Sequence, residues 1–187
     1  MPSFLFAFAA TLVTSLGARD QLLVAQLSAR LGAGVGLLFT AWLAAILSAS
    51  IMAWGGDAIA ALMPDAGKTM LVAFALAAAA FELAWPNKEK SPREPTRSLV
   101  AAFIVLLARQ MGDASRFLVF AFAVATGVPL LAGIGGALGG GLALTLGWMA
   151  GQDLGNWPLR AIRLGIAVVT GIAALMAGLA ARGIIQA

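Results

Sequence analysis

Five charged residues, Arg19, Asp20, Arg109, Asp113 and Arg116, fall inside stretches that are otherwise apolar enough to cross a membrane. A charge at mid-bilayer costs roughly 2.5–3.5 kcal/mol on insertion scales, so such residues face a protein interior, partner one another and mark a solute or ion pathway. On a continuous helix Asp113 lies three residues from Gln110 and Arg116 and four from Arg109, within reach of all three. Ser15 and Arg19 are likewise four apart and predict a second polar face, while Ser115 adds a hydroxyl beside Asp113. Gly17 and Gly112 sit within these two patches, where a glycine lets a helix kink or a neighbour approach closely. With no His, Cys or Tyr in the chain, thiolate, imidazole and disulfide chemistry are excluded. Metal or proton chemistry would run on carboxylates, amides, hydroxyls and backbone carbonyls.

The elements that must position these residues follow from composition. The chain of 187 residues is 61% hydrophobic and 11% charged, against about 45–50% and about 25% in soluble domains. That excludes a soluble enzyme or a nucleic-acid-binding domain, and the expectation is an all-α integral membrane protein without enzymatic activity. Spans of about 20 apolar residues are predicted near 4–29, 33–54, 69–85, 99–125, 127–150 and 161–182, giving six transmembrane helices. The polar stretch 86–98 (PNKEKSPREPTRS) reads as a linker between a first three-helix repeat, 1–85, and a second, 99–187. Three helices per repeat make the two repeats inverted in the membrane. The segment 15–24 aligns without gaps to 110–119, matching Gly17 to Gly112, Leu23 to Leu118 and Val24 to Val119.

Seven basic residues, Arg30, Lys88, Lys90, Arg93, Arg97, Arg160 and Arg163, fall on one side of this arrangement, against Lys68 and Arg182 on the other. The basic side is expected to be cytoplasmic, with both termini outside. The absence of basic residues before Arg19 speaks against a cleaved signal peptide, and the topology suits a bacterial inner membrane. The net charge of +4 records this loop bias and points to no nucleic-acid partner.

The glycine run 133–141 departs from the nucleotide-loop pattern at Leu138. Gly135/Gly139, Gly136/Gly140 and Gly147/Gly151/Gly155, and more weakly Gly32/Gly36, instead predict close helix packing. Trp54, Trp85, Trp148 and Trp157 are expected at span ends and Trp42 in packing, while Asp57 and Asp153 read as solvated helix ends.

Two inverted triplets, each opening on a polar glycine-containing motif and joined by a charged loop, resemble the transmembrane protein 165 (Gdt-one) family. The segment 15–30 (SLGARDQLLVAQLSAR) is similar to the family's first motif helix and 110–119 to its second. The resemblance implies a Mn²⁺ or Ca²⁺ transporter, with the cation as substrate rather than cofactor and protons as the exchanged ion. It implies ligands at the Glu and Asp positions of both motifs. Here these are Ser15, Ala18, Gln110 and Asp113, so Asp113 alone keeps a carboxylate and is the expected metal ligand or proton carrier. Ser15, Gln110 and Ser115 would supply neutral oxygens, and Asp20 would join them if the helix unwound at Gly17. Arg19, Arg109 and Arg116 would oppose a divalent cation. Two alternatives stand beside this: a non-transporting structural or regulatory membrane protein, and a transporter of an anion or other small solute. Oligomeric state is not legible.

Overall fold

The computed structural model describes residues 2–86 and 98–185, and all regular structure among them is helical. In chain order these are α1 (Pro2–Thr14), α2 (Arg19–Leu31), α3 (Val35–Ala60), α4 (Asp65–Ala84), α5 (Leu99–Met111), α6 (Ala114–Thr126), α7 (Pro129–Ala150) and α8 (Leu159–Ala181), with a 3-10 turn over Gly151–Asn156. Of the linker expected over 86–98, residues 87–97 lie outside the described residues. Its last residue, Ser98, starts α5 by accepting the Ala101 amide at 3.3 Å.

Four helices, α3, α4, α7 and α8, are long and apolar enough to cross a membrane, and α1 with α2 passes as one pair bent by 60°. The unbroken spans expected over 4–29 and 99–125 are therefore corrected. Each is two helices of 13 residues, and 13 residues rise about 20 Å, short of a hydrocarbon core of about 30 Å. The breaks fall at the glycines singled out above. Gly17 takes φ +71°, a left-handed conformation that glycine adopts without a Cβ clash. The second break passes through Gly112 to Asp113, whose carboxylate accepts the Ser115 amide at 3.0 Å and so caps α6.

The glycine run is a packing surface, as expected, and its members face different neighbours. A Cβ on Gly135 would meet the Phe4 carbonyl of α1 at 2.5 Å, and one on Gly139 would collide with Thr11 and the Phe8 carbonyl. Gly136 abuts Val119 and Gly140 abuts the Arg116 guanidinium, both from α6, while the Trp42 ring of α3 lies over Gly141. Trp42 also donates to Thr145 Oγ1 at 3.0 Å. Of the expected series through Gly147, Gly151 and Gly155, Gly147 packs on Gln21, and Gly151, which ends α7 at φ +51°, lies against Ala29 of α2, but nothing lies within 4 Å of a Cβ on Gly155. Gly32 likewise ends α2 at φ +87° with open space around it, whereas Gly36 packs on Leu99.

Contacts fix the helix directions. Phe4 meets Gly135 and Phe8 meets Gly139, so α1 runs parallel to α7; Gly36 meets Leu99 and Ser48 bonds Gln110, so α3 runs parallel to α5. Trp42 beside Thr145 and Ala53 beside Gly133 make α3 and α7 antiparallel. Arg163 against Glu82 and Gly178 against Ala73 do the same for α4 and α8. The connection after α2 lies beside the end of α7, where Trp148 Nε1 donates to the Gly34 carbonyl at 3.3 Å. The opposite end of the bundle holds Ser3, bonded to Thr126 at 3.0 Å. Trp54, Trp85 and Trp157 are exposed near helix ends, and Asp57 and Asp153 are exposed as expected.

Candidate functional site

The two helix breaks bring their polar residues into one buried cluster. Asp20, Gln110, Asp113, Ser115 and Arg116 are buried together, and two residues not anticipated from sequence, Gln21 and Ser48, join them; Ser15 is buried in the turn before Gly17. A continuous helix would have kept Asp20 on the wrong face. The turn at Gly17 places its carboxylate within electrostatic reach of Asp113 and Arg116.

At the centre lies the Arg116 side chain, the largest of the fully buried ones. Its Nε donates to Ser48 Oγ at 2.7 Å, its Nη2 to Gln110 Oε1 at 3.3 Å and its Nη1 to Ser115 Oγ at 3.4 Å. Ser48 Oγ donates to Gln110 Oε1 at 2.7 Å, and Ser115 Oγ donates to Asp113 Oδ2 at 2.5 Å. On the far side, Asp20 Oδ1 accepts the Gln21 amide at 2.8 Å. Gln110 Nε2 is turned toward Asp20 but completes no hydrogen bond.

The expected register of Asp113 against Gln110 and Arg116 is therefore corrected. Because the helix ends at Met111, Asp113 caps α6 and reaches Arg116 only through the Ser115 hydroxyl. The expected shared face of Ser15 and Arg19 is also corrected. Ser15 lies in the turn before Ala18, and Arg19 opens α2 beyond the bend.

Gln21 secures the first break. Its Oε1 accepts the Gly17 amide at 2.7 Å and its Nε2 donates to the Ala143 carbonyl of α7 at 2.7 Å. Losing both buried bonds in Gln21→Leu is expected to destabilise the fold by about 1–3 kcal/mol, measured by unfolding in mild detergent. An unchanged midpoint would show that the break holds itself. Gln21 is separated from Arg116 by the same stretch of chain that separates Gly17 from Gly112 and Ser48 from Ala143. Gln21 bonds Ala143 and Arg116 bonds Ser48, so two residues at that spacing make reciprocal contacts, one to α7 and one to α3.

Beside the cluster a cavity of about 480 Å³ is lined by Arg19, Glu82, Ile104, Val105, Ala108, Arg109, Gly112 and Asp113. Asp113 belongs to both the cavity wall and the buried cluster. One cavity residue and its buried partner correct the sequence reading. Arg163, counted above among the charges of the cytoplasmic side, is 3% exposed and donates from Nη2 to Glu82 Oε2 at 2.8 Å and to the Glu82 carbonyl at 3.3 Å. Glu82 carried no assigned role, yet it faces the cavity and stands near Asp113, with Arg19 Nε at 4.0 Å. The only sequence signal for the pair was the position of each charge within or beside an apolar run.

Four arginines, Arg19, Arg109, Arg116 and Arg163, thus meet three carboxylates, Asp20, Glu82 and Asp113. Among the described residues no three acidic side chains converge closely enough to hold a metal ion. Oxygen-ligated divalent cations take six or more donors, several of them carboxylates, and this cluster instead surrounds a guanidinium. Comparison with protein families, curated proteins and solved structures finds no match, so the functional reading rests on this geometry.

Proposed function

We propose that this chain is a multi-pass membrane transporter of a small charged solute. The observation that carries this reading is the meeting of two broken helices at a buried charged cluster that opens, through Asp113, into a cavity. Irregular backbone at membrane depth is tolerated where it lines a cavity or is buried in protein, and paired half-helices are a recurring way to build a transport site. The parallel pairs α1/α7 and α3/α5, the antiparallel pair α3/α7 and the reciprocal reach of Gln21 and Arg116 support six passes arranged as two inverted repeats. The grouping of the 32–34 connection with the end of α7, opposite Ser3 and Thr126, supports both termini lying on one side. The charge of the linker favours that opposite, linker-bearing side as cytoplasmic.

The motif resemblance supplies Mn²⁺ or Ca²⁺, exchanged for protons, as the substrate. The arginine surplus and the lack of a convergent carboxylate set favour a small anion over a bare divalent cation. Flux into proteoliposomes separates the two. Uptake of Mn²⁺ and Ca²⁺, and of chloride, phosphate and small carboxylates, is measured with and without a pH gradient for wild type and Asp113→Asn. Flux of one class, reduced by about tenfold or more in the variant, is the expected result. No flux of any tested ion from folded protein would leave the structural or regulatory reading in its place.

A further inference from the structure

We propose that Arg116 is a built-in counter-cation: its guanidinium fills an internal monovalent-cation site formed by Asp20, Asp113, Ser48, Gln110 and Ser115, so the protein needs no bound co-ion there. The guanidinium is held by two hydroxyl oxygens and an amide oxygen, donors that a monovalent cation would also take, with the buried Asp113 carboxylate behind Ser115. The occupant is the chain's own side chain. Asp113 is coupled to the guanidinium through the Ser115 hydroxyl, and Asp20 lies within its electrostatic reach. Among the described residues Arg116 makes no ion pair within 4 Å, so the guanidinium acts on both acids through space rather than pairing with one.

The fold makes room for it. A Cβ on Gly140 of α7 would stand 2.9 Å from Arg116 Nη1 and 3.0 Å from Nη2, so the guanidinium lies directly on a glycine. The corresponding residue of the first half, Gln21, is neutral and spends both polar atoms on backbone, so one half alone delivers the charge. Arginine stays protonated under all ordinary conditions. Unlike a bound ion it can neither dissociate nor be exchanged, so one of the two buried negative charges is permanently compensated.

The site assignment stands on its own; the consequence for co-ions rests on the transport reading above. Arg116→Ala empties the site while leaving both acids. In mild detergent its unfolding midpoint is expected to fall by about 10 °C. Millimolar guanidinium chloride, or sodium or potassium chloride, is expected to restore at least half of that loss, whereas tetramethylammonium chloride, too large for the site, restores none. Wild type should not respond. If Arg116→Ala does not fold, the double variant Asp20→Asn/Arg116→Ala, which removes one negative charge together with the positive one, is expected to fold and to ignore added cations. A cation-indifferent Arg116→Ala, or a double variant no more stable than the single, overturns the site. In proteoliposomes wild-type flux should be independent of Na⁺ and K⁺ and Arg116→Ala flux should require one of them. A cation-stabilised Arg116→Ala beside a wild type without flux would remove the transport reading and leave the internal site intact.

Discussion

Arg163→Met is expected to lower stability by about 3–5 kcal/mol, because it strips a buried carboxylate of its partner. Arg163 and Glu82 are 3% and 11% exposed at their side chains, joined at 2.8 Å. Without Arg163, Glu82 keeps its pair with Arg19 at 4.0 Å, whose side chain is 43% exposed, where solvent weakens the attraction. The pair is not a well-satisfied bridge even in the wild type: Arg163 Nε and Nη1 are buried with no hydrogen-bond partner. Much of the desolvation cost is therefore already present, and removing both charges should recover most of the loss. Arg163→Met/Glu82→Gln is expected to lie within about 1–2 kcal/mol of wild type. The exposed pair Lys68–Asp65, at 3.0 Å with Asp65 98% exposed, provides the contrast, since Lys68→Ala should cost under about 1 kcal/mol. Denaturant unfolding in mild detergent measures all of these. An Arg163→Met protein as stable as wild type, or a double variant no better than the worse single, would mean that the pair does not hold α4 to α8.

The second large effect is expected at Gly139, where Ala should cost about 3 kcal/mol and Val more. The side chain would point into α1, against the Phe8 carbonyl, the Thr11 hydroxyl and the Leu12 amide. Two of these are backbone, and Thr11 is itself tied to the Ala7 carbonyl at 2.7 Å, so no flexible side chain can swing aside. The helices would have to separate, breaking the matching contact at Gly135, where a Cβ would stand 2.5 Å from the Phe4 carbonyl. Gly165 of α8 is the control. A Cβ there meets nothing within 4 Å, and Gly→Ala in a helix interior gains about 0.5–1 kcal/mol from reduced backbone freedom. Opposite signs at two helical glycines, read as unfolding midpoints, are the outcome that checks the packing geometry; a neutral Gly139→Ala would refute it.

The extent of legibility differs between fold and site. Apolar runs marked the long helices over 35–60, 65–84, 129–150 and 159–181, with ends displaced by up to six residues, because a span needs length and hydrophobicity, and both are local properties. The breaks at Gly17 and Gly112 were marked as places where a kink would be tolerated. Whether a helix breaks at a given glycine depends on what compensates the lost backbone bonds. Here Gln21 does so for the first break and Asp113 for the second, and neither role follows from spacing alone. Arg163 shows the opposite failure. Three residues past Arg160, it looked like one more loop charge, but α8 turns it inward while Arg160 remains exposed.

Read alone, the sequence determined that this chain belongs among helices dense and apolar enough for a membrane, that its chemistry is limited to carboxylates, amides, hydroxyls and guanidiniums, and that Asp20, Asp113 and Arg116 are buried, although it grouped the 43% exposed Arg19 with them. Those properties follow from composition and from the high cost of isolated charge in an apolar medium. Only the tertiary structure decided which charges meet. Glu82 and Arg163 are 81 residues apart and Ser48 and Arg116 are 68 apart, and no periodicity within one helix relates them. The packing of α7's glycines against α1, α2, α3 and α6 brings Ser48 and Arg116 together, and the packing of α4 on α8 joins Glu82 to Arg163. With that packing in place, the centre of the cluster is a guanidinium rather than an open set of acids.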